Sequence, residues 1–211
     1  FIITVASSLY VNMIISMAFY IIVINSMNLI DGIDGLSTGL FLLFVISILF
    51  MGLHLEILDT KYHILIVIFL ASLSSFLFLN FPPAKIFLGD TGSQLLGWIM
   101  AVSIVYLSSF FDSNYQKLYL LSFISLPFYD VIFVMIKRFH IAKGNSIKRL
   151  SRIVYPDQNH IHHLLLKNKF NSVESLRCIS IFFLFCLLIS LLPIYLKAYY
   201  VPVFLIVLIF N

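Results

Sequence analysis

The side chains able to do chemistry in this chain are gathered in three short stretches of an otherwise apolar sequence. They are Asn28-Leu29-Ile30-Asp31-Gly32-Ile33-Asp34-Gly35, Phe87-Leu88-Gly89-Asp90-Thr91-Gly92-Ser93 and Pro156-Asp157-Gln158-Asn159-His160-Ile161-His162-His163. Acids, amides and histidines are costly beside hydrocarbon, so a membrane protein that keeps them at helix ends uses them.

In the first stretch Asn28, Asp31 and Asp34 are spaced by three. On a helix that spacing aligns them along one drifting stripe. Gly32 and Gly35 let a ligand approach the backbone closely. The bland alternative is that the acids hydrate a helix end, with Asp34 capping the helix that starts at Leu36. Two acids and an amide at helical spacing, flanked by two glycines, favour function. Gly35 and Gly39 also form a Gly-x-x-x-Gly pair suited to seating a neighbouring helix.

In the second stretch, Asn80-Phe81-Pro82-Pro83 ends one apolar run and Gly89-Asp90-Thr91-Gly92-Ser93 opens the next. A helix start offers free N–H groups to phosphate. An acid there competes with phosphate unless a hard dication such as Mg²⁺ bridges them. Simple N-capping by Asp90 is the competing reading, and alone this motif favours it.

The third stretch sits in a basic loop. His160, His162 and His163 fit either a zinc site or a cationic cluster holding phosphate. A zinc site needs further Cys, His or Asp ligands, and no Cys is near in sequence, so phosphate is preferred. Asp130, just after Pro127, reads equally as a site residue or as the partner of a Lys or Arg.

These stretches must be positioned by membrane-spanning helices. The chain has 211 residues, 62% of them hydrophobic and only 10% charged, with mean hydropathy +1.08. Soluble domains carry about 25% charged residues, so a water-soluble globule is excluded. Continuous apolar runs of about 20 residues cover 7–27, 36–54, 62–80, 93–111, 118–138 and 176–196, and a last run starts at 199. They are helices rather than barrel strands, because hydrophobicity does not alternate and lipid forces the backbone to satisfy itself. The fold class is all-α, a polytopic transmembrane bundle of six to seven spans in one domain over 1–211, with a histidine-bearing loop at 139–175.

Alternating spans put Lys85, Lys137, Arg138, Lys143, Lys148, Arg149, Arg152, Lys167, Lys169 and Arg177 on one side and Lys61, Lys117 and Lys197 on the other. The positive-inside rule makes the first side cytoplasmic, and all three polar stretches fall there, as one composite site. The pI near 9.0 follows from topology and anionic lipid and does not call for nucleic acid. Cys178 and Cys186 lie in one helix, about 12 Å apart along its axis, too far for a disulfide, and read as small core residues. Residue 1 is Phe, and both ends read as cuts in a longer protein.

Taken together, Asn28-Leu29-x-Asp31-Gly32-x-Asp34-Gly35-Leu36, Phe87-x-Gly89-Asp90-x-Gly92-Ser93 and Pro156-Asp157-x-x-His160-x-His162-His163 resemble the polyprenyl-phosphate N-acetylhexosamine-1-phosphate transferases, relatives of the phospho-MurNAc-pentapeptide translocases. The resemblance runs along essentially the whole chain. It implies transfer of N-acetylhexosamine-1-phosphate from a UDP-sugar to undecaprenyl or another polyprenyl phosphate, releasing UMP, as the first membrane step of cell-envelope polysaccharide synthesis. It also implies a multi-pass protein of the bacterial inner membrane with its site facing the cytoplasm.

By the same resemblance Asp90 is the ligand of Mg²⁺ or Mn²⁺, and Asn28, Asp31 and Asp34 line the nucleotide-sugar pocket. Phe87 and Asn80 stand beside the uracil, and Gly92 and Ser93 belong to the substrate-binding helix start. His160, His162 and His163 meet the sugar-phosphate end. Asp31 and Asp34 count with Asp90 and the three histidines as catalytic candidates. The partners implied are UDP-N-acetylhexosamine, polyprenyl phosphate and the bilayer, with no nucleic acid and with a homodimer allowed. The family's adjacent Asp-Asp pair does not occur in this sequence, which places it upstream of Phe1 and makes this piece inactive alone. Two alternatives stand beside the enzyme. An ion-coupled transporter would set its acids near the bilayer midplane, and a catalytically inactive scaffold homologue would dispense with the Asp-Asp pair.

Overall fold

The computed structural model describes residues 3, 7–55, 58–111, 114–141 and 160–196, and all regular structure among them is helical. In chain order the helices are α1 (Leu9–Ile30), α2 (Leu36–Leu55), α3 (Thr60–Asn80), α4 (Gly89–Ser108), α5 (Asn114–Ile141), α6 (Ile161–Lys167) and α7 (Ser172–Leu196). All but α6 contain a stretch long and apolar enough to cross a membrane. All six expected spans begin within a few residues of their predicted starts. The expected last run, from 199, lies outside the described residues.

Backbone chemistry sets the helix ends. Helix α3 stops at Asn80 because Phe81 precedes Pro82 and takes the extended conformation (φ −66°, ψ 142°) that proline imposes on its predecessor. Helix α1 continues past the expected boundary to Ile30, and Asp31 leaves the helix with ψ 46°. The expected helical stripe Asn28–Asp31–Asp34 is therefore broken: Asn28 lies in the last turn of α1 and both acids lie in the connection to α2. Gly35 takes φ +76° there, a left-handed conformation that glycine adopts without a Cβ clash.

The core is built around α2 and α5. Rings of Phe41 and Phe44 on α2 meet Phe69 on α3 and Phe123 on α5, and Phe123 meets Tyr119 edge-on with centroids 5.0 Å apart. Helix α1 packs on α4 and α5, α2 on α3, and α7 on α5. Large apolar side chains such as Ile14, Met17, Leu65, Ile68 and Phe185 stay exposed, the arrangement lipid-facing helices require.

The close helix approach falls elsewhere than the Gly35/Gly39 pair. A Cβ at Gly39 would meet nothing within 4 Å, whereas one at Gly97 would lie 2.8 Å from the Cα of Ile24 on α1. Backbone cannot step aside as a side chain can. Gly97→Ala is expected to separate α1 from α4 and cost about 1–3 kcal/mol, read as a lowered detergent-solubilised melting midpoint, and an unchanged midpoint would show the approach to be looser. Cys186 is buried as expected, but Cys178 is exposed, so only the former is a core residue.

Candidate functional site

The α1–α2 and α3–α4 connections and helix α6 meet at one end of the bundle. Three bonds tie the α1–α2 turn and the start of α2 to the end of α3 and the α3–α4 connection. The carboxylate of Asp34 accepts from the Ala84 N–H at 3.1 Å. The amide oxygen of Asn80 accepts from the Gly35 N–H at 3.1 Å and the Thr38 hydroxyl at 3.2 Å, while its NH₂ donates to the Ile86 carbonyl at 2.8 Å. Asn80 thus does for the start of α2 what the alternative capping reading gave to Asp34. It is buried and its bonds run to the scaffold, so it shapes this side of the site.

Helix α1 is tied to the start of α4 by Ser93, whose hydroxyl donates to the Asn28 side-chain oxygen at 2.7 Å. The α4 helix begins at Gly89, with Leu88 as N-cap and no side-chain cap. The capping reading of Asp90 is therefore set aside: Asp90 sits in the first turn, its side chain exposed. Phe87, just before it, is 73% exposed. Gly92 faces the flexible side chain of Leu88.

The acids sense one another. Burial, and then the negative charges of Asp90 and Asp34, hold the Asp31 carboxyl above the usual carboxylate range. The nearby Ser37 hydroxyl offsets this in part, although it falls short of hydrogen-bond geometry. A cation would relieve this repulsion. Among the described residues no three His, Cys, Asp or Glu side chains form a set able to hold a metal ion. A hard dication here would rest on one or two carboxylates plus phosphate oxygens and water, which is how Mg²⁺ is commonly held.

The histidines are carried by α6 and its N-cap residue. His160 is that N-cap residue, and its ring stacks on that of His162. His160 and His162 lie 5.8 Å apart with rings 5° from parallel, and His162 meets His163 at 4.2 Å. His162 is only 2% exposed and its Nδ1 has no hydrogen-bond partner among the described residues. Its Nε2 edge presses on the α1–α2 turn, 1.9 Å from where a Cβ at Gly32 would stand. Burial first, and then the neighbouring His163, push the His162 pKa down to about 4. At neutral pH this ring is uncharged, so the expected cationic cluster is corrected at His162 to a neutral ring. Pro156, Asp157 and the basic residues Lys143, Lys148, Arg149 and Arg152 lie outside the described residues.

Asp130 has a partner that the sequence did not suggest. Among the described residues it binds neither Lys nor Arg; its Oδ2 lies 2.7 Å from His160 Nδ1 and its Oδ1 accepts from the Ile161 N–H at 2.7 Å. The signal available was an acid inside a span together with histidines seeking a counter-charge.

Fold and site together define a multi-pass helical membrane protein with carboxylates, amides and histidines converging at one end of its bundle. A family model described as Glycosyl transferase family 4 matches residues 1–108, just over half of the 211 residues. The chain belongs to glycosyl transferase family 4. It is 36% identical over 145 residues to a probable undecaprenyl-phosphate N-acetylglucosaminyl 1-phosphate transferase of Bacillus subtilis, covering 67% of this chain and 37% of that protein. It is 28% identical over 179 residues to an undecaprenyl-phosphate alpha-N-acetylglucosaminyl 1-phosphate transferase of Thermotoga maritima, covering 84% and 50%. A phospho-N-acetylmuramoyl-pentapeptide-transferase of Petrotoga mobilis is 46% identical over 84 residues, covering 40% and 24%. The chain spans half or less of the length of these relatives. No solved structure matches.

Proposed function

We propose that this chain is part of an enzyme that transfers N-acetylhexosamine-1-phosphate from a UDP-sugar to undecaprenyl or a similar polyprenyl phosphate, releasing UMP. The observation that carries the reading is the convergence of all three polar stretches, with Ser93 bonded to Asn28, Asp34 to Ala84, and His162 seated on Gly32. The names of the similar proteins from Bacillus subtilis and Thermotoga maritima support the same chemistry.

In this reading an oxygen of the lipid phosphate attacks the β-phosphorus of the UDP-sugar. The bond from that phosphorus to the bridging oxygen breaks, and UMP leaves. Both reactants are anions, so positioning and charge compensation dominate. Asp90 would hold Mg²⁺ or Mn²⁺, with Asp31 beside it, and that ion would supply the positive charge two phosphates need. Asn28 and Asp34 hold the turn that lines the nucleotide-sugar pocket, and Phe87 offers an exposed ring to the base. His162, neutral and with an Nδ1 that has no partner among the described residues, is suited to a hydrogen bond with the diphosphate, and His163 stands next to it.

The site faces the cytoplasm in this reading. Lys85, Lys137, Arg138, Lys167, Lys169 and Arg177 belong to the connections and helix ends on the site's side, and Lys61 and Lys117 to the opposite side. That bias is the positive-inside pattern. The intact protein, purified with UDP-N-acetylhexosamine and undecaprenyl phosphate, is expected to release UMP and form a lipid-linked sugar phosphate in equal amounts. Failure to form either product from any common UDP-N-acetylhexosamine would sink the reading. A Thr91→Cys probe in a cysteine-free background should resist an impermeant reagent applied outside cells, and rapid labelling there would reverse the topology.

A further inference from the structure

Asp130 is a buried acid inside α5, between Tyr129 and Val131 and ahead of the basic Lys137 and Arg138 at the end of the helix. It is 0% exposed. An ionised carboxylate in such a place must be paired or it destabilises the fold. Its two oxygens are used on two different targets in adjacent residues: one faces the His160 ring, the other takes the Ile161 N–H at the first turn of α6. Both contacts are short, as charge-assisted hydrogen bonds are.

The two bonds do different things. The bond to Ile161 satisfies one of the free N–H groups at the start of α6, a helix of only seven residues that has little stability of its own. The bond to His160 selects a ring form. A carboxylate only accepts, so Nδ1 of His160 must carry the proton. With Nδ1 facing Asp130, the His160 ring is fixed in orientation and stacks parallel on His162. His162 in turn has its Nε2 edge against Gly32 and its Nδ1 without a partner among the described residues.

We infer that Asp130 is a positioning residue for the histidine helix: it fixes His160 in the Nδ1-protonated form and anchors the start of α6, and through the His160–His162 stack it holds His162 and His163 toward the α1–α2 turn. It does not touch the reacting groups. The proposal rests on the sugar-phosphate transfer reading for its catalytic consequence, while the clasp itself is testable without turnover.

Asp130→Asn separates the two bonds. The amide oxygen still accepts from Ile161, so α6 stays capped, but the NH₂ now faces His160 and forces Nδ1 to become an acceptor. Ring ¹⁵N spectra of the intact protein in lipid nanodiscs, assigned by loss of a signal in His160→Gln, are expected to show a protonated Nδ1 in the parent. In Asp130→Asn the proton should move to Nε2. In the transfer assay the same variant should lose about 10²-fold in kcat with KM for the UDP-sugar within about 3-fold of the parent. Introduced into His160→Gln, it should cost little more, because its effect passes through that ring.

A parent His160 already protonated only at Nε2 would overturn the clasp. A tautomer change with unaltered kcat, or a full additional loss in the His160→Gln background, would overturn the positioning role. If the parent itself transfers no sugar phosphate, the proposed function fails and the catalytic consequence fails with it, whereas the spectra still decide whether Asp130 sets the ring. If Asp130→Asn does not fold, Asp130→Glu, which keeps the charge one methylene displaced, is expected to retain the Nδ1 proton and to lose kcat by a smaller factor. Loss of the Nδ1 proton in that variant would count against the clasp.

Discussion

Asp90→Asn is expected to lower transfer by about 10³-fold, the scale on which losing one well-placed charge-stabilising group acts, with expression and melting behaviour close to the parent. The contrast follows from where Asp90 sits. It lies in the first turn of α4, exposed, and makes no side-chain cap for that helix. Replacing its carboxylate therefore removes no structural bond. What disappears is a negative charge that Asp31 feels across the turn. Asparagine keeps the size and one acceptor oxygen but binds a hard dication far more weakly, since such ions favour carboxylates and phosphate oxygens. The Asp31 carboxyl should also relax toward the ordinary carboxylate range, because one of the charges raising it has gone. The measurement is UMP release at fixed Mg²⁺ and again over a Mg²⁺ or Mn²⁺ titration. Turnover within a few-fold of the parent at all metal concentrations would remove Asp90 from the metal role.

The membrane class and most helix starts were legible because lipid imposes one rule on every span, and continuous apolar length reports it directly. Helix ends were harder. The α1 helix runs on to Ile30 because nothing in Asn28-Leu29-Ile30 forbids helix, and the break comes only where Asp31 and Gly32 turn the chain. The grouping of the three polar stretches was also legible, from parity of the spans alone. Their mutual contacts were not. Local spacing suggested Asp34 or Asp90 as caps, but the start of α2 is satisfied from 45 residues away, by Asn80 on Gly35. No periodicity in sequence reports such a bond.

The pairing of Asp130 with His160 shows the same limit in another form. The sequence marks an acid inside a span as needing a partner, and basic side chains are numerous nearby. Which partner reaches it depends on the path of a connection whose residues 142–159 lie outside those described. The outcome bears on the transporter alternative as well. Asp31, Asp34 and Asp90 stand in the connections and first turn at one end of the bundle, not at broken helices near its middle, and Asp130 is committed to the histidine helix. That leaves no acid in the described spans free to carry a coupling ion through the membrane layer.

The other large effect is expected from Gly32→Ala. Gly32 does not occupy a left-handed conformation, so alanine is allowed by the backbone at this position. The space is what forbids it: an added Cβ would stand 1.9 Å from His162 Nε2 and 2.5 Å from its Cε1. The His162 ring is buried, stacked on His160 and tilted against His163, so it cannot rotate away without disturbing both. The ring must retreat by more than 1 Å, and misplacement on that scale can cost about 10²-fold in rate. Transfer should therefore fall by about that factor while the six spanning helices and their thermal stability change little, because the added methyl falls in the connection between α1 and α2 and not within a span. The cause is separable from a general distortion of the α1–α2 turn. In a His162→Ala background the collision is absent, and Gly32→Ala should then cost less than about 3-fold, a plain case of non-additivity between touching residues. Equal losses in both backgrounds would mean that Gly32 matters through the turn or through substrate approach, and that His162 does not rest on it.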